Sequence, residues 1–169
     1  MKPSIRFGLI NGGVGIIWSL LMYVTTLNRN PSFQWINMIG LAFTIMFMVM
    51  AINEYRTKIG NGWVSFGAAF KQAFIVGIIG SVIGLSFYYV YLTAIDPGFV
   101  EFQMQMQVDR LAESGLSEEA ITSQVEQIGK FMTPGMQVIF GMVFSVFISA
   151  VFALIVAAIK KHPNPEEIA

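Results

Sequence analysis

The sequence contains no cysteine and only one histidine, His162, and these two shortages limit the chemistry of the chain. Without cysteine there is no disulfide, no thiol nucleophile and no cysteine ligand for a metal. A zinc site or a nucleophile–histidine pair would depend on His162 alone, which lies in the polar tail after the last apolar run. We interpret His162 as a solvated, flexible residue, and we expect no catalytic, metal-binding or cofactor-binding residue. The chain is therefore not expected to be an enzyme.

Charge is the second shortage, since only 12% of the 169 residues are charged, whereas about a quarter is usual in a soluble domain. Ten basic and ten acidic residues cancel, which argues against a nucleic-acid partner or a polyanionic substrate. The mean hydropathy is +0.66, and the charges gather in a few places. This composition predicts an integral membrane protein whose first partner is the lipid bilayer.

Between the charged clusters lie apolar segments of membrane-spanning length. A helix that crosses about 30 Å of hydrocarbon needs roughly 20 mostly apolar residues, and four segments reach that length. We therefore predict an all-α, integral membrane four-helix bundle that forms a single membrane domain over residues 1–169. The predicted spans are residues 7–24, 33–52, 73–95 and 136–159.

The first span has a second interpretation, because Lys2 and Arg6 form a short basic region ahead of it, as in a secretory signal peptide. Its apolar run is longer than the roughly 7–15 residues of a signal-peptide core. No clear cleavage site precedes the turn at Asn28–Pro31, and a further span follows directly. The membrane span is therefore the favoured interpretation.

Lysine and arginine residues near the spans indicate the orientation, because they accumulate on the cytoplasmic side of a membrane. If both termini are cytoplasmic, seven basic residues lie inside and three lie outside. We therefore expect cytoplasmic termini, with the polar segment between the third and fourth spans on the outer side. The inner residues are Lys2, Arg6, Arg56, Lys58, Lys71, Lys160 and Lys161, and the outer ones are Arg29, Arg110 and Lys130.

An aromatic stripe begins before the third span, which suggests that its helix is longer than one crossing requires. A continuous helix over Ser65–Ile95 would contain 31 residues. Either its first two turns lie in the headgroup region, with Lys71 extended toward phosphate, or a single helix is steeply tilted. The stripe consists of Trp63, Phe66, Phe70 and Phe74.

Residues 96–134 read as a water-exposed insert that folds into an extramembrane helical hairpin. Gly115 is placed to stop the first helix and Ser117 to cap the second. Each half carries apolar residues at helical spacing. These stripes either pack against each other over the ends of the spans or dock a partner protein. The candidate docking residues are Met104, Val108, Leu111, Ile121, Val125 and Ile128.

Small residues four apart predict where the spans pack closely, because helix association in lipid depends on close approach. Such residues occur in spans one, three and four. Either they pack helices together within one bundle, or the long ladder of small residues in span four, from Gly141 to Ala157, joins two copies of the chain in a homo-oligomer. The second span has few of them and many methionines, so we expect it to face lipid or to fill gaps. The packing residues are Gly8, Gly12, Gly15, Ser19, Gly77, Gly80, Ser81, Gly84, Gly141, Ser145, Ser149, Ala153 and Ala157.

The middle of the spans contains no ionisable residue, although transporters, pumps and ion channels usually carry them there. The deepest amides are Asn11 and Asn37, which we expect to form hydrogen bonds across helix contacts rather than to line a route. No span is interrupted by proline, as carrier helices often are. These features argue against a transporter.

Three segments, taken with the four spans, carry a resemblance to a known family. They are the run Ser65–Lys71, the acidic hairpin that ends at Pro134, and the exit Ala157–Lys161. With them the whole chain resembles the DUF4199 family of small bacterial (Bacteroidota-type) multi-pass membrane proteins. The resemblance implies a bacterial inner (cytoplasmic) membrane protein with a periplasmic hairpin and no catalytic residue. It also implies a supporting role in envelope glycan or lipid-carrier chemistry, because relatives lie near polyprenol-phosphate glycosyltransferases.

The favoured function is a non-enzymatic accessory or scaffold subunit of the cell envelope, without a cofactor. Its partner would be an envelope protein or further copies of the chain. The alternative is a small oligomeric carrier, or a translocator of lipid- or polyprenol-linked substrates.

Overall fold

The computed structural model describes residues 1–30, 35–36 and 38–164. Asn37 and the first residues of the predicted second span lie outside this part of the chain. The described residues form six α-helices and one isolated β-bridge, without a β-strand, which confirms the all-α prediction. The helices are α1 (Pro3–Val24), α2 (Met38–Lys58), α3 (Phe66–Val90), α4 (Gly98–Glu113), α5 (Glu118–Phe131) and α6 (Pro134–Lys160).

Four of the helices are long and apolar enough to cross a membrane, as predicted. They are α1, α2, α6 and α3, which a π-helical turn at Tyr91–Ile95 continues to a length of 30 residues. The helices extend past the predicted apolar limits, because polar residues at their ends continue the backbone hydrogen bonding. Arg56 and Lys58, for example, form the last turn of α2, where the negative end of the helix dipole favours basic side chains.

The chain divides into two compact units. The bundle unit consists of Met1–Gly84 together with the chain from Met142 onward, and the hairpin unit consists of Leu85–Gly141. The hairpin unit is wider than the predicted insert of residues 96–134, because it also contains the last turns of α3 and the first turns of α6.

The core of the bundle unit is built from all four spanning helices. Helix α2 contributes Phe47, Met48, Ala51 and Ile52, each at most 7% exposed. The expectation that the second span faces lipid is therefore wrong for this part of α2, whereas gap filling describes it well. The core consists of Phe7, Phe47, Met48, Ala51, Ile52, Val64, Ala69, Ala73, Val76, Ala153, Val156 and Ala157.

An ion pair joins α1 to α2 in the bundle unit, where α1 begins and α2 ends. Arg6 on α1 forms an ion pair with Glu54 on α2, and Lys58 donates to the same carboxylate at 3.2 Å. Because Arg6 lies near the start of α1 and Glu54 near the end of α2, the two helices run in opposite directions. This arrangement matches a helical hairpin of two consecutive spans.

The segment after α6 is held to the segment before α3. His162 and Val64 exchange two backbone hydrogen bonds of 2.8 Å, and the His162 ring stacks on Trp63 with a centroid distance of 4.9 Å. The prediction of a flexible His162 is therefore wrong, although its side chain remains exposed. Local sequence patterns give no sign of this contact, since the two bridged residues lie about a hundred positions apart in the chain.

Candidate functional site

Helices α1 and α3 approach closely along the predicted glycine seam. A Cβ atom placed on Gly8 would lie 2.7 Å from the Ile79 Cβ, and one on Gly12 would lie 2.6 Å from the Ile83 Cβ. Non-bonded carbon atoms do not approach each other this closely in proteins, so both positions need glycine. Contacts that advance by four residues on each helix show that α1 and α3 run parallel.

The part of the small-residue ladder of α6 that runs from Ser149 to Ala157 packs against other residues of the same protein. A Cβ atom on Gly77 would fall 2.5 Å from the Ser149 hydroxyl and 3.0 Å from the Met48 ε-methyl. Ala153 and Ala157 are completely buried. These ladder residues are therefore not free to form an interface with a second copy unless α6 leaves the bundle.

Other predicted packing residues lie in looser surroundings. No atom comes within 4 Å of a Cβ placed on Gly15 or Gly84. Ser19 is half-buried, and Ser145 is half-buried with its hydroxyl donating to the Met142 carbonyl at 2.9 Å. At Gly15 and Gly84 the four-residue spacing therefore does not mark a close helix contact. Within the hairpin unit, a Cβ on Gly141 would lie 2.7 Å from the Leu85 Cδ2.

The amide of Asn11 makes the cross-helix hydrogen bond that its depth in the first span predicts. The Thr44 hydroxyl on α2 donates to the Asn11 Oδ1 at 3.2 Å. On the other side, the Asn11 Nδ2 lies against Gly80 on α3, where any side chain would displace it. Asn11 thus contacts α2 through Thr44 and α3 through Gly80, next to half-buried Ser81.

The hairpin unit contains the predicted αα-hairpin with its predicted turn. Gly115 follows α4 with φ +73°, a left-handed conformation that glycine adopts without strain. The Ser117 hydroxyl accepts a hydrogen bond from the Ala120 amide at 3.3 Å and so caps α5. Glu118 and Glu119 occupy the first turn of α5, where the helix dipole favours negative charge.

The candidate docking residues lie on α4 and α5, and each of them is half-buried. The Met104 ε-methyl approaches within 3.4 Å of a Cβ placed on Gly129, so the two helices touch. Neither helix contains a fully buried residue. The stripes are thus covered only in part by each other. The six residues are Met104, Val108, Leu111, Ile121, Val125 and Ile128.

A buried tyrosine–aspartate pair in the hairpin unit was not foreseen from the sequence. The Tyr91 hydroxyl donates to the Asp96 Oδ2 at 2.9 Å, and both residues are at most 6% exposed. The Asp96 amide donates to the Tyr91 carbonyl at 2.8 Å, which closes a π-helical turn. The Asp-Pro-Gly sequence at 96–98 predicts a turn but not the wider helical turn before it, since that turn depends on the side-chain pair.

A second polar group links α3, α4 and α6 inside the hairpin unit. Tyr88 donates to the Gln137 Oε1 at 2.9 Å, and Gln103 donates to the Tyr88 hydroxyl at 3.3 Å. The Gln137 side chain also donates to the Met132 carbonyl at 2.9 Å. Gln137, the lone amide side chain of the predicted fourth span, is thus a structural residue of the hairpin unit.

Metal ligands do not cluster in the part of the chain that the structure describes: no three histidine or carboxylate side chains are placed to share an ion. Buried Asp96 is engaged by Tyr91.

Comparison with known proteins identifies the family. The family model described as a protein of unknown function (DUF4199) matches residues 6–162. The chain belongs to the DUF4199 family. The match begins at Arg6, which pairs with Glu54, and ends at His162, which bridges to Val64. Searches of curated proteins and of solved structures find no match to this DUF4199 chain.

Proposed function

We propose that this DUF4199 membrane protein is a non-enzymatic accessory or scaffold subunit of a bacterial cell envelope. In this proposal it lies in the inner membrane with both termini in the cytoplasm and the α4–α5 hairpin in the periplasm. The excess of basic residues at the termini and in the α2–α3 loop supports this orientation.

The observation that carries the scaffold role is the incomplete burial of the hairpin. Two amphipathic helices cannot enclose a core by themselves, and no residue of α4 or α5 is fully buried. Phe131 is 53% exposed and Leu116 is 41% exposed. A partner that covers the open flank of the stripes would bury apolar surface that the hairpin leaves in contact with solvent.

The charge of the hairpin indicates the chemistry of that partner. Helices α4 and α5 carry six acidic residues and two basic ones. One of the basic residues, Lys130, is engaged by Glu126 at 3.3 Å. We therefore propose a basic surface on another envelope protein, since opposite potentials steer and orient association. The acidic residues are Glu101, Asp109, Glu113, Glu118, Glu119 and Glu126.

Charge reversal on α4 tests this role. Glu113 lies in the last turn, where lysine is favoured by the helix dipole, and Asp109 lies one turn earlier, where its carboxylate accepts from the Gln105 side chain at 2.8 Å. After mild crosslinking in native membranes, the double variant Asp109→Lys/Glu113→Lys should lose a heteromeric partner that the unchanged chain retains. The variant Lys161→Glu changes an exposed charge elsewhere and should keep it. Retention of the partner by both variants contradicts docking through the hairpin.

The alternative of a small carrier or a lipid translocator makes a different prediction. Reconstituted liposomes would then show specific solute or lipid flux with the chain alone, without any second protein. The scaffold role predicts no such flux. It is favoured because no ionisable side chain lies along the middle of the described spans.

A further inference from the structure

A cavity of about 130 Å³ lies among α1, α2 and α3, within the membrane-spanning length of each helix. Three polar side chains line it, those of Asn11, Thr44 and Ser81, together with Gly15 and Gly40. A water molecule takes up roughly 30 Å³ in the liquid. The cavity therefore has room for the polar end of a small molecule rather than for a single water.

Two hydrogen-bond donors in this cavity have no partner. Asn11 is 92% buried, at 8% exposure, and its Oδ1 is satisfied by Thr44. Among the described residues, neither the Asn11 Nδ2 nor the Ser81 hydroxyl donates to any group. The hydrocarbon region of a membrane contains no water to satisfy such groups. Both groups are therefore available to donate to an acceptor atom of another molecule.

Two of the three glycines that line the cavity, Gly15 and Gly40, have no packing role. A Cβ atom on Gly15 or Gly40 would meet nothing within 4 Å, in contrast to Gly12, whose Cβ would overlap Ile83. The missing side chains at 15 and 40 thus keep the cavity open instead of bringing helices together. Gly15 is exposed, so the cavity opens on the surface of the bundle unit at a position that faces lipid.

We propose that this cavity binds the uncharged, oxygen-bearing end of a membrane-soluble molecule, through a hydroxyl or carbonyl oxygen that accepts from Asn11 and Ser81. The ligand is uncharged because no ionisable side chain lines the cavity to neutralise a phosphate or an ammonium. It enters from the lipid phase, past Gly15. The proposal does not depend on the scaffold role of the hairpin.

Photolabelling with a matched pair of probes tests the site. The full chain is reconstituted in phosphatidylcholine vesicles with a long-chain primary alcohol that carries a diazirine near its hydroxyl. The control probe is the alkane with the same diazirine and no hydroxyl. Peptides containing residues 11–15 and 40–44 should be labelled about five- to tenfold more by the alcohol, the gain of one neutral hydrogen bond. Excess unlabelled alcohol should compete.

Three variants separate recognition from non-specific contact. Gly15→Leu fills the opening and should abolish the preference for the alcohol. Gly13→Leu places the same side chain on the same helix, away from the cavity and equally free of contacts, and should keep it. Ser81→Ala removes one donor without adding atoms, so it tests the site even if Gly15→Leu fails to fold. Equal labelling of the unchanged chain by the two probes overturns the proposal. So does a preference for the alcohol probe that is the same in Ser81→Ala as in the unchanged chain.

Discussion

Gly77 on α3 and Ser149 on α6 lie in direct contact, because a Cβ atom on Gly77 would stand only 2.5 Å from the Ser149 hydroxyl. The contact places the small-residue ladder of α6 inside the bundle unit, where Ser149 is 5% exposed. In lipid, where water exclusion does not hold helices together, such close approach is a main source of helix association.

The two serines of the ladder should respond differently to enlargement. Ser149→Leu inserts a large side chain against Gly77 and should destabilise the bundle by about 1–3 kcal/mol or more. Ser145→Leu acts at a half-buried position whose hydroxyl bonds only to its own helix, and should have a much smaller effect. Unfolding in mixed detergent measures both. An oligomer that dissociates in Ser149→Leu while the protomer stays fully stable would place the ladder between copies instead.

Neighbouring glycines of α1 should give effects of opposite sign. Gly12→Ala places a Cβ against Ile83 and should lower stability by about 1–3 kcal/mol. Gly13→Ala meets no atom within 4 Å, so it should raise stability by up to about 1 kcal/mol through its better helix propensity. The same unfolding assay compares them. Equal effects would contradict the described contact between α1 and α3.

The bridge between His162 and Val64 should protect the end of α6. His162→Pro removes the amide that donates to the Val64 carbonyl and should speed tryptic cleavage after Lys160, the bond to compare in all three proteins because trypsin does not cut before a proline. His162→Ala keeps both backbone hydrogen bonds and loses only the stack on Trp63, so it should be cleaved more slowly than His162→Pro. Identical cleavage of all three proteins would show that the bridge does not hold this segment.

The absence of cysteine makes the orientation directly measurable. Ser123 on α5 and Lys161 after α6 are both exposed, so Ser123→Cys and Lys161→Cys each introduce one accessible thiol. A membrane-impermeant maleimide should label Ser123→Cys in intact cells and Lys161→Cys only after the membrane is disrupted. The opposite pattern would invert the proposed topology, and labelling of both in intact cells would contradict placement on two sides.

Local signals predicted much of the fold. Apolar length identified four spans, and Gly115 with Ser117 located the turn of the hairpin, because each of these features acts within a few residues of chain. The start of the third helix at Phe66, ahead of its predicted apolar span, was likewise indicated by the aromatic stripe that precedes the span.

Features that depend on contacts between distant segments were not predictable in the same way. The burial of α2 around Met48 depends on Gly77 in another helix. Gly15 continues the pattern of small residues that contains Gly8 and Gly12, yet only Gly8 and Gly12 lie against a neighbouring helix. The open space next to Gly15 forms part of the cavity beside Asn11. The sequence pattern does not distinguish a glycine that lines a cavity from one that packs against a helix.

The central claim is that the hairpin receives a basic partner, and site-specific photo-crosslinking in native membranes tests it most directly. A photoreactive amino acid at Val125, within the half-covered stripe, should yield one heteromeric product that disappears in the Asp109→Lys/Glu113→Lys background and weakens at high salt. The same amino acid at Val143, on the exposed face of α6, should not yield that product. Crosslinks from Val125 only to lipid or to a second copy of the chain would contradict the account.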